Sequence, residues 1–236
     1  RDPEMSRGLG DVYKRQHVFW VVQLEFSKLV VFDVDGTLNQ TERYAIAAYR
    51  KALEELGRDG FTDEELKQRI GAPFSEDLKF FFGADQKAGK LFFDKVSEYW
   101  FEGMEENGKA FPGTKEMLDC LKKMGFGTAI CSNAYPEELH NILKVLEIED
   151  KFDYIQALTE EGTKVKSLKR LLETCKPGWA VMVGDRIYDL EAAEENELPF
   201  IACKYGYCAP GELDGCEYTA TSISDIPLIV EQMVMK

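Results

Sequence analysis

The chain has 236 residues, 44% of them hydrophobic and 31% charged, with a formal net charge of −14 and an isoelectric point near 4.7. That balance suits one large or two small globular units with enough chain to bury a core, and it excludes disordered and fibrous classes. So acidic a surface repels nucleic-acid phosphates and anionic lipid alike, so neither nucleic acid nor membrane is expected as a partner.

The first 24 residues form a non-domain N-terminal extension. Arg1 to about Gln16 has neither helical nor strand period and reads as translated adapter or vector sequence, or as a disordered tail. The uncharged run Val18 to Leu24 is far shorter than the ~20 residues of a membrane helix. Six cysteines (Cys120, Cys131, Cys175, Cys203, Cys208 and Cys216) show no CxxC pair and no zinc-ligand rhythm, which fits free thiols in a reducing cytoplasm.

From Ser27 strands and helices alternate. Leu29 to Asp33 is a continuous apolar run ending in an acid, as in a strand buried on both faces, and Asp35-Gly36-Thr37 has turn chemistry. An all-helical stretch follows. Helices are predicted over Thr41 to Leu56, from Thr62 (a capping box with Glu65) to Ile70, over Ser75 to Phe82, and over Gln86 to about Glu106. Its dense aromatics, Phe80 to Phe82, Phe92, Phe93 and Tyr99 to Phe101, read as the core of a small domain. Arg43 and Arg50 read as surface charges.

Phe111-Pro112-Gly113 marks the return to alternation. A helix from Thr114 to Met124 leads to a strand at Thr128 to Cys131. Then follow a helix (Pro136 to Leu146), a strand (Tyr154 to Leu158), a helix (Lys164 to Thr174) and a strand (Ala180 to Val183). A helix (Ile187 to Asn196), a strand (Phe200 to Cys203) and a last helix near Ile223 to Met233 complete the chain. This pattern predicts an α/β fold: a doubly wound parallel sheet with a small helical domain inserted after the first strand. Residues 25–38 and 110–236 would form the core and 39–109 the insert.

In such sheets ligands sit at the carboxyl ends of strands, and Asp33, Ser132 and Asp185 each fall just past an apolar strand. Asp185 and Asp189, four apart at a helix start, share one helical face. Acidic clusters at two strand ends would repel each other unless a divalent cation lay between them, and oxygen ligands of this kind favour Mg²⁺. Ser132-Asn133 offers a hydroxyl and backbone N–H groups suited to phosphate oxygens. Lys164, Lys166 and Lys169 on one helix are candidates for the cation that completes the neutralisation.

Phe32-Asp33-Val34-Asp35-Gly36-Thr37-Leu38 resembles the first motif of the haloacid dehalogenase-like hydrolase superfamily. Ile130 to Asn133 resembles the second, the Lys164 helix the third, and Val183-Gly184-Asp185-Arg186 with Asp189 the fourth. The insert resembles the C1 cap of that superfamily, and Ile70 to Pro73 with Phe111 to Gly113 resembles the phosphoglycolate phosphatase-like subgroup.

The resemblance implies a Mg²⁺-dependent phosphatase acting on a small phosphorylated metabolite, phosphoglycolate first among them, as a cytoplasmic monomer or homodimer. It implies Asp33 as the nucleophile that forms an aspartyl-phosphate and Asp35 as the general acid and base. It implies Asp33, Asp35 (through its backbone carbonyl), Asp185 and Asp189 around the metal. Ser132, Asn133 and Lys164 would hold the phosphoryl group, with Lys166 in reserve for the lysine. A dehalogenase lacks the second acid, here Asp35. A sugar-phosphate mutase of the β-phosphoglucomutase type and a non-catalytic phospho-ligand-binding protein on the same scaffold are the alternatives.

Overall fold

A computed structural model describes residues 26–83, 85–160 and 162–235. The predicted N-terminal extension lies outside the described residues. Strands β1 (Lys28–Phe32), β2 (Gly127–Cys131), β3 (Tyr154–Gln156), β4 (Trp179–Gly184), β5 (Phe200–Cys203) and β6 (Tyr218–Ala220) form one sheet. All pairings are parallel and the order is β3-β2-β1-β4-β5-β6. The sheet therefore grows in one direction from β1 and then, starting with β4, in the other. This is the doubly wound α/β architecture expected from the sequence.

Burial on both faces explains the unbroken apolar text of β1. Val30 and Phe32 pack toward α5 (Thr114–Lys123), α6 (Pro136–Val145) and α9 (Ile226–Met235). Leu29 and Val31, pointing the opposite way, pack toward α7 (Lys164–Cys175) and α8 (Ile187–Glu195). Two layers of helix thus cover a central sheet.

Between β1 and α5 stand α1 (Glu42–Glu55), α2 (Asp63–Lys67), α3 (Phe74–Phe82) and α4 (Gln86–Asn107). The capping box at the start of α2 is present: the Glu65 N–H donates to Thr62 Oγ1 (3.2 Å) and the Thr62 N–H to Glu65 Oε2 (2.8 Å). The predicted aromatics form the centre of this unit. Phe92 is fully buried, stacked with Phe74 and Tyr49 at centroid distances of 6.0 and 6.1 Å. Arg50 pairs with Asp63 at the surface, and Arg43 donates to the Asn107 carbonyl. The two crossings into this unit run side by side, with Gln40 N–H bonded to Lys109 O and Phe111 N–H to Leu38 O, both at 2.9 Å.

Three details differ from expectation. The α2 helix stops at Lys67, short of Ile70, because turns carry the chain from there to Gly71. The last predicted helix divides into a single 3-10 turn (Ile223–Asp225) followed by α9. Strand β6 was not anticipated: its three residues, Tyr218, Thr219 and Ala220, include one polar residue and form no continuous apolar run. Among the described residues no helix is long and apolar enough to cross a membrane.

Candidate active site

The polar residues gather where the sheet reverses direction, at the carboxyl ends of β1 and β4. Asp33 follows β1, and its N–H bonds to Val183 O on β4 (2.9 Å). Asp185 follows β4, and Asp189 lies in the first turn of α8. Carboxylate oxygens of Asp33, Asp185 and Asp189 come within 4.8 Å of one another, and the three residues are 0–3% exposed.

Each acid is held. Asp185 accepts from Thr37 Oγ1 at 3.1 Å and from the Tyr207 N–H at 2.6 Å. Asp189 Oδ2 accepts from the backbone N–H groups of Asp185 (3.1 Å) and Arg186 (3.0 Å), so the spacing of four folds the acid back over its own helix start. The turn Asp35-Gly36-Thr37 has a steric cause. Gly36 has φ +83°, and a Cβ there would stand 2.2 Å from Asp185 Oδ2.

Lys164, the first residue of α7, is buried with its ammonium paired to both Asp33 and Asp189. Lys166 and Lys169 face solvent, so of these three lysines it is Lys164 that the phase of α7 brings to the acids. One lysine among three carboxylates leaves a net negative pocket. Burial pushes Asp33 up to about 7, with the Asp189 and Asp35 charges adding to it and Lys164 opposing. Burial raises Asp185 well above the carboxylate range, helped by the Asp33 and Asp189 charges. Burial alone would lower Lys164, but Asp189 and Asp33 outweigh it and keep the ammonium charged. Closely set hard oxygen donors with too little compensating charge fit a divalent cation of the Mg²⁺ kind.

The Asp35 carboxylate stands apart from this trio. It accepts from Thr41 Oγ1 at 2.5 Å and Asn39 Nδ2 at 3.3 Å, and it opens onto a cavity of about 480 Å³ beneath the helical insert. Burial raises its pKa, which favours the protonated form. Ser132 is buried and its Oγ accepts from the Ala134 N–H (3.1 Å). Asn133 turns toward the insert, where its Nδ2 donates to Gly71 O at 3.1 Å.

A family model described as haloacid dehalogenase-like hydrolase matches residues 30–203, which contain every acid and the lysine just placed. The chain belongs to this family. Among curated relatives of this haloacid dehalogenase-like hydrolase, tyrosine-protein kinase PtkA of Mycobacterium tuberculosis is 27% identical over 204 residues, 84% of this chain and 68% of PtkA. Glyceraldehyde 3-phosphate phosphatase of Pyrococcus furiosus is 28% identical over 226 residues, covering 86% of this chain and 92% of its own. Phosphoglycolate phosphatase of Aquifex aeolicus is 27% identical over 193 residues, 76% and 86% respectively. In fold, the hydrolase superposes on the crystal structure of a "predicted phosphatase" from Clostridium acetobutylicum with a TM-score of 0.79. That pair is 24% identical and the match covers 88% of this chain and 99% of the other.

Sequence reasoning missed the far wall of the site in this hydrolase. Gly206 and Tyr207, in the loop after β5, close over Asp185, and Arg186 bridges from the α8 start to the Ile70 carbonyl while its Nε pairs with Glu212 at 2.9 Å. A glycine just past an apolar strand was the available signal, at Gly206. Glu212, which also accepts from the Ile187 and Ala209 N–H groups (both 2.6 Å), carried none.

Proposed function

We propose that this chain is a Mg²⁺-dependent phosphomonoesterase working through an aspartyl-phosphate on Asp33. Residues 39–109 would act as the cap over a core of 25–38 and 110–236, and the protein would be a cytoplasmic monomer or homodimer. The observation that carries the reading is the burial of Asp33 against Lys164 with Asp185 and Asp189 alongside. Such a pocket is suited to a doubly charged phosphoryl group only if cations are gathered there.

Asp33, Asp185, Asp189 and the Asp35 carbonyl would hold the metal. When bound, Mg²⁺ supplies positive charge that screens the phosphoryl oxygens from the attacking carboxylate. Lys164 holds one oxygen of Asp33 and so orients the other toward phosphorus. As the Asp33 oxygen bonds to phosphorus, the bond to the leaving alcohol breaks, and Asp35 donates its proton to the departing oxygen. Asp35, then a carboxylate, takes a proton from the water that attacks the phosphoenzyme, releasing phosphate and restoring Asp33. Ser132 and the loop at Asn133 supply donors to the phosphoryl oxygens. Cap closure keeps other water out during the first step.

The resemblance puts phosphoglycolate first among substrates, and glyceraldehyde 3-phosphate is the substrate named for another relative. The test is phosphate release from a panel of phosphorylated metabolites, with Mg²⁺ and with EDTA. Release that needs Mg²⁺ and is lost in Asp33→Asn is expected. A folded protein that releases phosphate from none of the panel would overturn the proposal.

A further inference from the structure

The cavity next to Asp35 is the space left for the part of the substrate that is not phosphate, and its lining has an unexpected chemistry. Among the described residues that line it there are four carboxylates, Asp35, Asp77, Glu137 and Glu138, and no lysine, arginine or histidine. The rest is dominated by apolar and aromatic side chains, with Phe74, Phe93, Trp100 and Tyr135 forming much of the wall.

The neighbouring cations are each paired with a carboxylate, although Arg69 Nη2, 3.9 Å from Glu76, makes no hydrogen bond among the described residues. Arg69 is closed onto Asp77 (Nε to Oδ1, 2.8 Å), which also accepts from Tyr49 OH at 2.8 Å. Arg186 is held by Glu212 and the Ile70 carbonyl, and Lys164 by Asp33 and Asp189. Glu138, by contrast, accepts only a long hydrogen bond from the Tyr135 N–H (3.4 Å) and makes no ion pair among the described residues. Its half-buried position, with the Asp35 charge adding to it, pushes its pKa up to about 7.

A second negative charge on the substrate would therefore lose water and meet Glu137 and Glu138, which no cation of the lining offsets, and this disfavours binding. Volume points the same way, since about 480 Å³ lies within the range of pockets that enclose ligands far larger than a two-carbon acid. Two lining residues also keep a buried polar atom without a partner among the described residues, a donor at Trp100 Nε1 and an acceptor at Asn133 Oδ1.

We infer that the cavity selects phosphomonoesters whose leaving alcohol has an apolar, aromatic-compatible body and carries no negative charge, which places phosphoglycolate among the poor substrates. The inference rests on the phosphatase reading. It is tested by kcat/KM for benzyl phosphate and 2-phosphoglycolate at pH 8 with Mg²⁺, in the wild type and in Glu138→Gln. The expected result is a preference for benzyl phosphate of at least about tenfold, with a several-fold narrowing in the variant. Equal or faster turnover of phosphoglycolate would overturn the inference and leave the phosphatase intact. A preference that Glu138→Gln does not move would overturn its assignment to this cavity. Hydrolysis of neither compound nor of any other phosphomonoester would remove the phosphatase reading and the inference together.

Discussion

Replacing Lys164 by methionine keeps most of the side chain's length and removes the one ammonium that Asp33 and Asp189 share. Breaking a buried ion pair from one side costs about 3–5 kcal/mol, because the partner is left charged and unsolvated. For a chain of this size each kcal/mol lowers the melting temperature by roughly 2–4 °C, so a fall of roughly 6–20 °C is expected in EDTA. The loss has a pH signature. Asp33 already stands near 7 with Lys164 present, and without it Asp33 is pushed higher. The folded protein then holds protons that the unfolded chain, with carboxylates near 4, has released. Wild type shares the resulting fall in stability between about pH 4 and 7, so the added deficit of the variant opens above about 7 and is larger at pH 8 than at pH 5.5. Mg²⁺, binding only the folded acids, should restore part of the loss. Thermal unfolding at pH 5.5 and 8, with EDTA and with Mg²⁺, reads all three effects. A deficit below about 1 kcal/mol, or one that pH leaves unchanged, would refute the view that Lys164 compensates these acids.

Glu138→Gln should be more stable than the wild type at high pH and equal to it in acid. Its raised pKa disfavours the ionised form between about 4.5 and 7, and the difference, about 1–2 kcal/mol after allowance for partial exposure, should open across that window in urea titrations. A gap that narrows with rising pH would contradict the sign. Gly206→Ala would place a Cβ 2.3 Å from Asp185 Cβ and 2.5 Å from the Gly36 carbonyl, so the Asp185 loop must move. Phosphate release should fall by about a hundredfold with circular dichroism unchanged, and activity within threefold of wild type would show the loop to be tolerant. Phe92→Ala removes the centre of the helical insert and should lower stability by about 3–5 kcal/mol in chemical denaturation. A loss near zero would mean that the aromatic stack is not cooperative.

What the sequence could reveal was whatever a strand end or a helix start encodes locally. Asp33, Asp185 and Ser132 follow apolar runs, and Asp189 and Lys164 sit in first turns, so topology alone brings the acids and the lysine together. The choice of Lys164 over Lys166 needed the rotation of α7 against the sheet, which a lysine-rich helix does not announce. Gly206, Tyr207 and Glu212 reach the site across the fold from a loop with no period. The cavity was invisible for a related reason. Asp35, Trp100, Asn133 and Glu138 come from the two strand-end loops, α4 and α6, and only their packing shows that no lysine, arginine or histidine among the described residues lines the space with them.

At the Ile70–Gly71 turn the core holds the insert by main-chain oxygens: Arg186 donates to the Ile70 carbonyl and Asn133 to that of Gly71. A carbonyl is the same on every residue, so this docking survives changes of side chain in the turn wherever the backbone can still adopt the path. The helices above can then change without changing the seat on which they rest.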